Sequence, residues 1–380
     1  MLCVGHIVEI KRKRKGNRRR GAKSTDDPVV YKVRYRDPDR VERSRSFETK
    51  QEALRFLQSV ETDIARGQYL DPAAGRATLE VWAEEWISTI RHLKPKTQEG
   101  YRSLLRKHIL PRLGRRKLTS IKPLDVRGFI SEMVDAGYSP STVRQARHLL
   151  GMVMNAAVEN GAIASSPVTN VKVPREQRRE MQVLTAKQVA DVAEAVPDRY
   201  RALVYLLAYG GLRWGEAAAL RRKRLNLLKA RVDVSESVAD VSGHLHYGPT
   251  KTYQTRNVAV PEFLKDMLAE HLANYVGKSR DALVFTTEEE TPLRNGNWRR
   301  WVWDPALEES GLPRVRIHDL RHTCATLLIA EGAHAKAIQR HLGHSSIQIT
   351  FDTYGHLLPD EQDRVADALD QTFRKAKRSS

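Results

Sequence analysis

The stretch RIHDLRHTCATLLIAEG, residues 316–332, combines two side chains suited to anions with an apolar stripe typical of a buried helix. His318 and Arg321 are three residues apart, so they share one face of a helix that begins near Ile317 or His318. The opposite stripe of that helix consists of Leu320, Cys324, Leu327 and Leu328. An imidazole beside a guanidinium suits an anion better than either suits the other. The stretch therefore predicts a core helix that presents an anion-binding face.

A second arginine lies upstream in GGLRWGE, residues 210–216, directly after two glycines. Arg213 is expected to start a helix there and can point into a cleft. Glu216, one turn later, can fix the guanidinium or the backbone behind it. Taken alone, this pair favours an ordinary salt bridge at a helix end.

Two further segments carry reactive side chains. GPTKTYQTR, residues 248–256, places Lys251 at the expected tip of a hairpin, where a lone lysine is usually only exposed to solvent. LGHSSIQITFDTYGHL, residues 342–357, places His344 at a turn and Tyr354 ten residues later. A tyrosine in this setting is either ordinary core or a nucleophile.

Together these segments supply six candidates for one site: Arg213, Lys251, His318, Arg321, His344 and Tyr354. Such a set fits attack on a phosphodiester by a phenol, because two guanidinium groups can bind the nonbridging oxygens and their growing charge. Tyrosine has a free pKa of about 10, so a phenolate costs about 4 kcal/mol at pH 7, and a cationic site lowers that cost. A histidine can accept the phenol proton, and a lysine on a mobile turn can protonate the leaving 5′ oxygen.

Composition points to a polyanionic partner. The 380 residues suffice for two or three domains, and Lys+Arg exceed Asp+Glu by 65 to 46, a net charge of +19. Nucleic acid is favoured over an anionic membrane, because the sequence has neither an apolar run of about 18 residues nor an apolar signal core. Cys3 and Cys324 make neither a disulfide framework nor a zinc site, which favours a reducing cytosol.

The first predicted block, residues 1–68, contains three strands and one helix capped by Thr49 and stopped by Gly67. A basic run lies on a connection between its strands. It is expected to contact the DNA backbone, because each neutralised phosphate releases counterions, although a solvated hairpin loop is the alternative. The basic residues of the run are Lys11, Arg12, Lys13, Arg14, Lys15, Arg18, Arg19 and Arg20.

Two larger blocks follow. Residues 77–170 are expected to be entirely helical, with apolar core stripes and with Arg144 and Arg147 able to face DNA. Residues 180–380 mix helices with a small antiparallel sheet, whose strand-like runs are RVDVSESV, HLHYGPT and RNVAVP. The predicted fold class is therefore multidomain α+β. A short apolar stripe in the tail consists of Val365, Ala368, Leu369 and Phe373.

Five motifs in the third block, GGLRWGE, GPTKT, HDLRHTCAT, LGHSS and DTYGH, resemble in their order those of the tyrosine recombinase family, specifically phage-type integrases. The resemblance covers most of residues 184–357. It implies that Arg213 and Arg321 grip the scissile phosphate, that Lys251 is the general acid for the leaving 5′ oxygen, and that Tyr354 is the nucleophile.

The resemblance also implies roles for the remaining motif residues. His318 is an acid/base candidate, His344 hydrogen-bonds the phosphate, and Glu216 supports the site without taking part in the chemistry. No catalytic position departs from the family's pattern, which argues for an active enzyme.

For the domains, the resemblance implies an arm-type DNA-binding domain at residues 1–68 and a helical core-binding domain at residues 77–170. The core-binding domain would close as a clamp around DNA with a catalytic domain at residues 180–380. The C-terminal tail would pack on a neighbouring protomer, or alternatively on its own domain.

The activity implied is that of a site-specific DNA recombinase, an integrase that joins and excises phage or mobile-element DNA through a 3′-phosphotyrosyl link. It would need no metal, cofactor or ATP, and would act as a homotetramer on core-type and arm-type attachment sites. A host DNA-bending protein and an excision factor are possible partners, and the expected location is the host cytoplasm at the nucleoid.

Two alternatives remain open from the sequence. A type IB topoisomerase-like enzyme would use the same nucleophile without strand exchange, although the three-block layout argues against it. A non-catalytic DNA-binding regulator would carry the histidines and the tyrosine as structural residues.

Overall fold

The computed structural model describes residues 5–11, 29–67, 69, 74–174, 181–251, 253–355, 369, 374 and 377. The chain divides into two compact units, Met1–Gln177 and Arg178–Ser380. Most of the basic N-terminal run lies outside the described residues, namely Arg12, Lys13, Arg14, Lys15, Arg18, Arg19 and Arg20. The same holds for three tail positions, Val365, Ala368 and Phe373.

The first unit begins with an antiparallel sheet in the order β1-β2-β3, formed by Gly5–Lys11, Val29–Arg36 and Glu42–Phe47. Helix α1, Lys50–Ala65, packs against this sheet. Its N-cap is Thr49, whose hydroxyl oxygen accepts the backbone N–H of Glu52 at 3.3 Å. The buried side chains between sheet and helix are Val33, Tyr35, Ala53 and Val60. The predicted three strands and one helix are confirmed.

The rest of the first unit is helical: α2 Leu79–Thr89, α3 Pro95–Leu104, α4 Leu110–Leu113, α5 Pro123–Asp135 and α6 Pro140–Glu159. A π-type turn, Leu105–Ile109, joins α3 to α4. The N-cap of α6 is Ser139, and Pro140 suits the first helical position that follows it. Large side chains buried among these helices include Leu79, Phe129, Met133, Leu150 and Met154.

The second unit begins with α7 Ala186–Ala195, α8 Asp198–Tyr209 and α9 Trp214–Ala218. After a strand-rich segment it continues with α10 Glu262–Tyr275, α11 Asn295–Trp298, α12 Asp304–Glu309, α13 Asp319–Ala330, α14 Ala335–Leu342 and α15 Ile347–Tyr354. Helix α8 is largely buried and packs against α7, α10 and α13. The turn after α8 therefore lies close to the first turns of α13.

The strands between α9 and α10 are β4 Leu225–Asn226, β5 Arg231–Val234, β6 Glu236–Val241, β7 His244–Pro249 and β8 Arg256–Ala259. They form two antiparallel sheets, β4-β5-β8 and β6-β7. The predicted hairpin between β7 and β8 is wrong, because β8 pairs with β5 and buries Val258 opposite Val232. Lys251 thus lies on a connection between two sheets, and Gly243 is at the tip of the real hairpin.

The mixed architecture confirms the predicted α+β class, with a three-stranded sheet in the first unit and small antiparallel sheets in the second. Among the described helices, none is both long and apolar enough to cross a membrane.

Candidate active site

Arg321 lies at the centre of a polar cluster in the second unit. Helix α13 has His318 as its N-cap residue, in agreement with the predicted start. From its first turn, the Arg321 guanidinium donates to the backbone carbonyls of Gly211 and Leu342, both at 2.5 Å. Only 3% of Arg321 is exposed. The side chain thereby fixes the end of α14 and the turn after α8 to the start of α13.

Two glycines permit this close approach. Gly211 has a φ of +63°, and a Cβ atom there would lie 2.6 Å from Cδ2 of Leu342. Gly343 has a φ of +70°, and a Cβ atom there would lie 2.8 Å from Cδ of Arg256. Both positions combine a left-handed backbone with a crowded neighbourhood, so a side chain at Gly211 would press on Leu342 and one at Gly343 on Arg256.

Glu216 joins two arginines that come from different elements. Its carboxylate accepts two hydrogen bonds from the Arg256 guanidinium, at 3.0 and 2.7 Å, and one from Arg213 at 2.8 Å. The backbone N–H of Arg213 also donates to it at 2.8 Å. The predicted contact between Arg213 and Glu216 is therefore present. A second donor group of Arg213 reaches the carbonyl of Gly343 at 3.4 Å, which ties this pair to the end of α14.

The Glu216 carboxylate is strongly favoured in its charged form. Its side chain is only 1% exposed, and burial alone would raise its pKa. Hydrogen bonds and charge from Arg256, and then from Arg213, outweigh burial and lower the pKa to about 2. The carboxylate is thus an ionised support for two cations at any physiological pH.

Glu216→Gln is expected to lower the free energy of unfolding of the protein by about 3 kcal/mol at pH 7, because two partly buried guanidinium groups lose their buried counter-charge. Because the folded-state pKa lies below the ordinary value of 4.5, this contribution is complete above that pH and is lost as the pH falls towards 2. Urea denaturation at several pH values measures it, and the two proteins should converge in acid.

Asp191→Asn is the matched control for this stability measurement. Asp191 pairs with Lys187 on the exposed surface of α7, at 2.9 Å. Such a pair contributes about 0.5 kcal/mol or less. Equal losses in the two variants would contradict the supporting role of Glu216.

Tyr354 ends α15 with its phenol inside the cluster. The residue is 1% exposed, and its Oη lies 2.6 Å from Nδ1 of His322. Burial raises the pKa of the phenol to about 12, although the charge of Arg321 acts in the opposite direction. The sequence led us to expect that nearby cations lower the cost of the phenolate. In this structure the effect of burial is larger than that of Arg321.

A second histidine borders the phenol. The His344 ring stacks parallel to the Tyr354 ring at 6.4 Å between centroids, and its Nδ1 lies 2.9 Å from Oγ1 of Thr350. Burial, then Arg321 and Arg213, lower the pKa of His344 to about 4.

His318 stands at the outer side of the cluster. It keeps more than a third of its surface exposed, yet its pKa falls to about 4 because part of its ring is desolvated and because His322 and Arg321 lie nearby. Its ring meets that of His322 edge-on at 5.2 Å. At pH 7, both His318 and His344 are therefore neutral and able to accept or share protons.

The structure thus brings five of the six candidate catalytic residues together with Glu216. Lys251 is the exception: it is exposed, and among the described residues no hydrogen bond or ion pair joins it to the cluster.

The described DNA-contact candidates lie in the first unit. Lys11 and Arg144 are exposed at the end of β1 and on α6. Arg147 is half-buried and donates to the carbonyl of Val168 at 3.1 Å, a contact that stabilises the helical fold.

Sequence reasoning missed two members of the cluster, Arg256 and His322. Side chains alternate between the two faces of a strand, so Arg256 lies on the same face of β8 as the buried Val258. An arginine on the buried face, with no acid nearby in sequence, indicates a partner elsewhere in the chain. His322 follows His318 by four residues, so it lies on the same helical face that singled out Arg321. The sequence thus indicates that Arg256 and His322 face inward, but not which residues they contact, because Glu216 and Tyr354 lie far from them in sequence.

The arrangement favours binding of a tetrahedral anion. Two guanidinium groups contact the Glu216 carboxylate, and the charge of a third, that of Arg321, lies nearby. This leaves an excess of positive charge beside a phenol and three imidazoles. In the described part of the chain, no group of three or more His, Cys, Asp or Glu side chains is arranged to hold a metal ion.

Comparison with known proteins identifies the family. The model of the phage integrase family matches residues 182–361, and that of the phage integrase N-terminal SAM-like domain matches residues 78–134. The integrase of Mycobacterium phage D29 is 32% identical over 317 residues, which are 80% of this chain and 83% of that protein. The chain belongs to the phage integrase family of tyrosine recombinases. It is thus a tyrosine-type site-specific recombinase, and the matched range contains all six candidate catalytic residues.

Solved structures share the fold of this recombinase. The integrase of transposon Tn1549 in complex with a circular intermediate DNA aligns with a TM-score of 0.67 at 19% identity, over 78% of this chain and 99% of that one. A lambda integrase tetramer bound to a Holliday junction aligns with a TM-score of 0.58 at 19% identity, over 87% and 93% of the two chains.

Proposed function

We propose that this recombinase cuts and rejoins DNA through a covalent 3′-phosphotyrosyl link formed by Tyr354. The observation that carries the proposal is the convergence of that phenol with Arg321 and Arg213, from segments far apart in sequence. A tyrosine that were only core would need no such surroundings.

Arg213 and Arg321 bind the nonbridging oxygens of the scissile phosphate in this proposal. A guanidinium has five N–H donors, and Arg321 uses only two side-chain nitrogens on the carbonyls of Gly211 and Leu342. Burial and the neighbouring Arg213 and Arg256 lower the pKa of Arg321 to about 9, so it remains a cation at pH 7. Both groups can therefore offset the charge that grows on the phosphate oxygens.

The remaining candidates act around this phosphate. His344 donates from Nε2 to a phosphate oxygen, because its Nδ1 faces Thr350. His318 serves as an acid/base group at the exposed start of α13. Lys251 is exposed on its connection and can reach the DNA to protonate the leaving 5′ oxygen. Glu216 holds Arg213 and Arg256 and takes no part in the bond changes.

The substrate is double-stranded DNA with core-type and arm-type attachment sites. The helical residues 77–170 and the catalytic residues 180–380 contact the core-type site, and residues 1–68 contact arm-type sites. The charge of +19 supports such a partner, because phosphate neutralisation releases counterions. Exposed Lys11 and Arg144 contact the DNA backbone in this proposal.

Exchange between two duplexes requires a homotetramer. The 5′ hydroxyl of a partner duplex attacks the phosphotyrosyl link, so the bond energy is conserved without ATP. The lambda integrase tetramer on a Holliday junction supports this assembly. The element moved is phage or other mobile DNA in the host cytoplasm at the nucleoid, with a host bending protein and an excision factor as further partners.

The test is covalent capture. An attachment core from the DNA beside this gene, nicked so that the cleaved fragment is lost, should trap the wild-type protein in an adduct stable to SDS. Mass spectrometry should place the 3′-phosphate on Tyr354. Products that join two different duplexes indicate recombination, whereas relaxation without exchange indicates a topoisomerase. Specific binding without any adduct would favour a regulator.

Lys251→Ala is expected to slow cleavage of an ordinary phosphodiester about 100-fold, because the leaving oxygen then lacks its proton donor. A 5′-bridging phosphorothiolate should restore the rate to near that of the wild type, since a thiolate leaves without a proton. Single-turnover assays on both substrates measure this, with the exposed Lys278→Ala as control. An equal defect of Lys251→Ala on both substrates would exclude the general-acid role.

A further inference from the structure

Among the described residues, the side chain that hydrogen-bonds the phenol oxygen of Tyr354 is an imidazole that none of the motif assignments uses. Nδ1 of His322 lies 2.6 Å from Oη, within direct hydrogen-bonding distance. We propose that His322 accepts the phenol proton of Tyr354 during cleavage and is therefore a catalytic residue. The inference rests on the proposed function, in which Tyr354 is the nucleophile.

The other two histidines are less suited to this transfer in the same structure. His344 lies with its ring parallel to that of Tyr354, at an interplanar angle of 8°, and its Nδ1 faces Thr350. That nitrogen is therefore engaged with the Thr350 hydroxyl and not with Oη. His318 contacts the ring of His322, at 5.2 Å between the ring centroids. His322 alone has a ring nitrogen in contact with Oη among the described residues.

The surroundings of His322 favour a neutral imidazole, as an acceptor requires. Burial is the main cause that lowers its pKa below the ordinary value of 6.5. Asp319 acts in the opposite direction, but its carboxylate is held by Arg316 at 2.8 Å. The groups that face His322 are Arg316, His318, Asp319, Arg321, His344 and Tyr354. In its Nε2-protonated tautomer, His322 offers the Nδ1 lone pair to the phenol.

The proton balance of the step is complete. As Oη bonds to phosphorus, its proton moves to Nδ1 of His322. The bond from phosphorus to the 5′ oxygen breaks with its electron pair on that oxygen, which takes a proton from Lys251. In rejoining, the incoming 5′ hydroxyl gives its proton to Lys251, and Oη leaves with the proton held by His322. The enzyme therefore ends each cycle in its starting protonation state.

His322→Asn is the sharpest test, because an asparagine amide occupies the position of Nδ1 and can still hydrogen-bond Oη but cannot take its proton. Single-turnover cleavage at pH 7 is expected to be about 100-fold slower than in the wild type. The wild-type rate should not rise further with pH at and above neutrality, where the imidazole is already neutral, whereas the variant rate should rise steeply with pH as hydroxide replaces the base. Binding of the attachment core should be unchanged in mobility-shift assays.

A DNA substrate with sulfur in place of the leaving 5′ oxygen distinguishes proton removal by His322 from proton donation by Lys251. A 5′-bridging phosphorothiolate should leave the His322→Asn defect in place, because the nucleophile still has to lose its proton. His322→Gln is a second variant in case the first folds poorly, and urea midpoints check both. His334→Gln, at the N-cap of α14, is the matched control and should keep the wild-type rate and pH profile.

The outcomes are distinguishable. If the wild type forms the adduct and His322→Asn cleaves at the same rate with the same pH profile, the assignment of His322 is wrong while the proposed function stands. If the phosphorothiolate restores His322→Asn, the residue acts on the leaving group and the assignment is also wrong. If the wild type itself forms no adduct, the proposed function fails first.

Discussion

Tyr354→Phe is expected to abolish covalent protein–DNA adducts while leaving DNA affinity nearly unchanged. The substitution removes only Oη, and with it the hydrogen bond to His322, from a side chain that is 1% exposed. Phenylalanine fills the same space, so the packing of α15 should be retained. Without the phenol oxygen no phosphotyrosyl link can form. SDS gels of the nicked attachment core and mobility-shift titrations measure the two quantities.

Tyr205→Phe is the control for this experiment. Tyr205 lies partly buried in the same unit against the rings of Tyr209 and Phe263. Its variant should form adducts at the wild-type rate. Undiminished adducts in Tyr354→Phe would place the nucleophile on another residue.

Arg321→Lys should reduce the cleavage rate about 1,000-fold or more, the second largest effect expected. Lysine cannot reach two carbonyls and a phosphate at once, since it has one ammonium in place of a planar fork. Its free pKa is about 10.4, and the burial and neighbouring cations that lower the pKa of Arg321 would deprotonate part of it near pH 7. Single-turnover cleavage with saturating enzyme measures the loss.

Folding and binding have to be followed in parallel, because the Arg321 guanidinium also holds the carbonyls of Gly211 and Leu342. Arg299→Lys is the matched control, on an exposed arginine that pairs loosely with Asp304 at 3.8 Å. It should cleave like the wild type. A mild defect in Arg321→Lys, with stability retained, would contradict direct phosphate binding by Arg321.

The local elements of the fold were largely predictable from sequence. Thr49 caps α1 as its hydroxyl and spacing to Glu52 indicate, and the helices carry the apolar stripes expected of them. The pairing of the strands was not predictable, because the register of a strand depends on partners that are distant in sequence. The alternation around Lys251 is compatible with a hairpin, but burial of Val258 against Val232 decides for β5 as the partner of β8.

In the candidate site too, contacts between residues close in sequence were predictable and contacts between distant residues were not. Contacts within one helical turn, such as that of Arg213 with Glu216, are visible in sequence because helical geometry fixes them. The pairing of Glu216 with Arg256 is not, since 40 positions separate them. The direction of the pKa of Tyr354 also needed the structure, because burial and the charge of Arg321 oppose each other and only their relative size decides.

The two hydrogen bonds between Glu216 and Arg256 imply that the arginines of the site are arranged before DNA binds. Guanidinium groups repel one another, and bringing three of them together is unfavourable unless an anion lies between them. In the folded protein the Glu216 carboxylate already offsets part of that repulsion without a phosphate. An incoming strand would then meet preorganised donors, and its interaction energy would remain available for distorting the duplex.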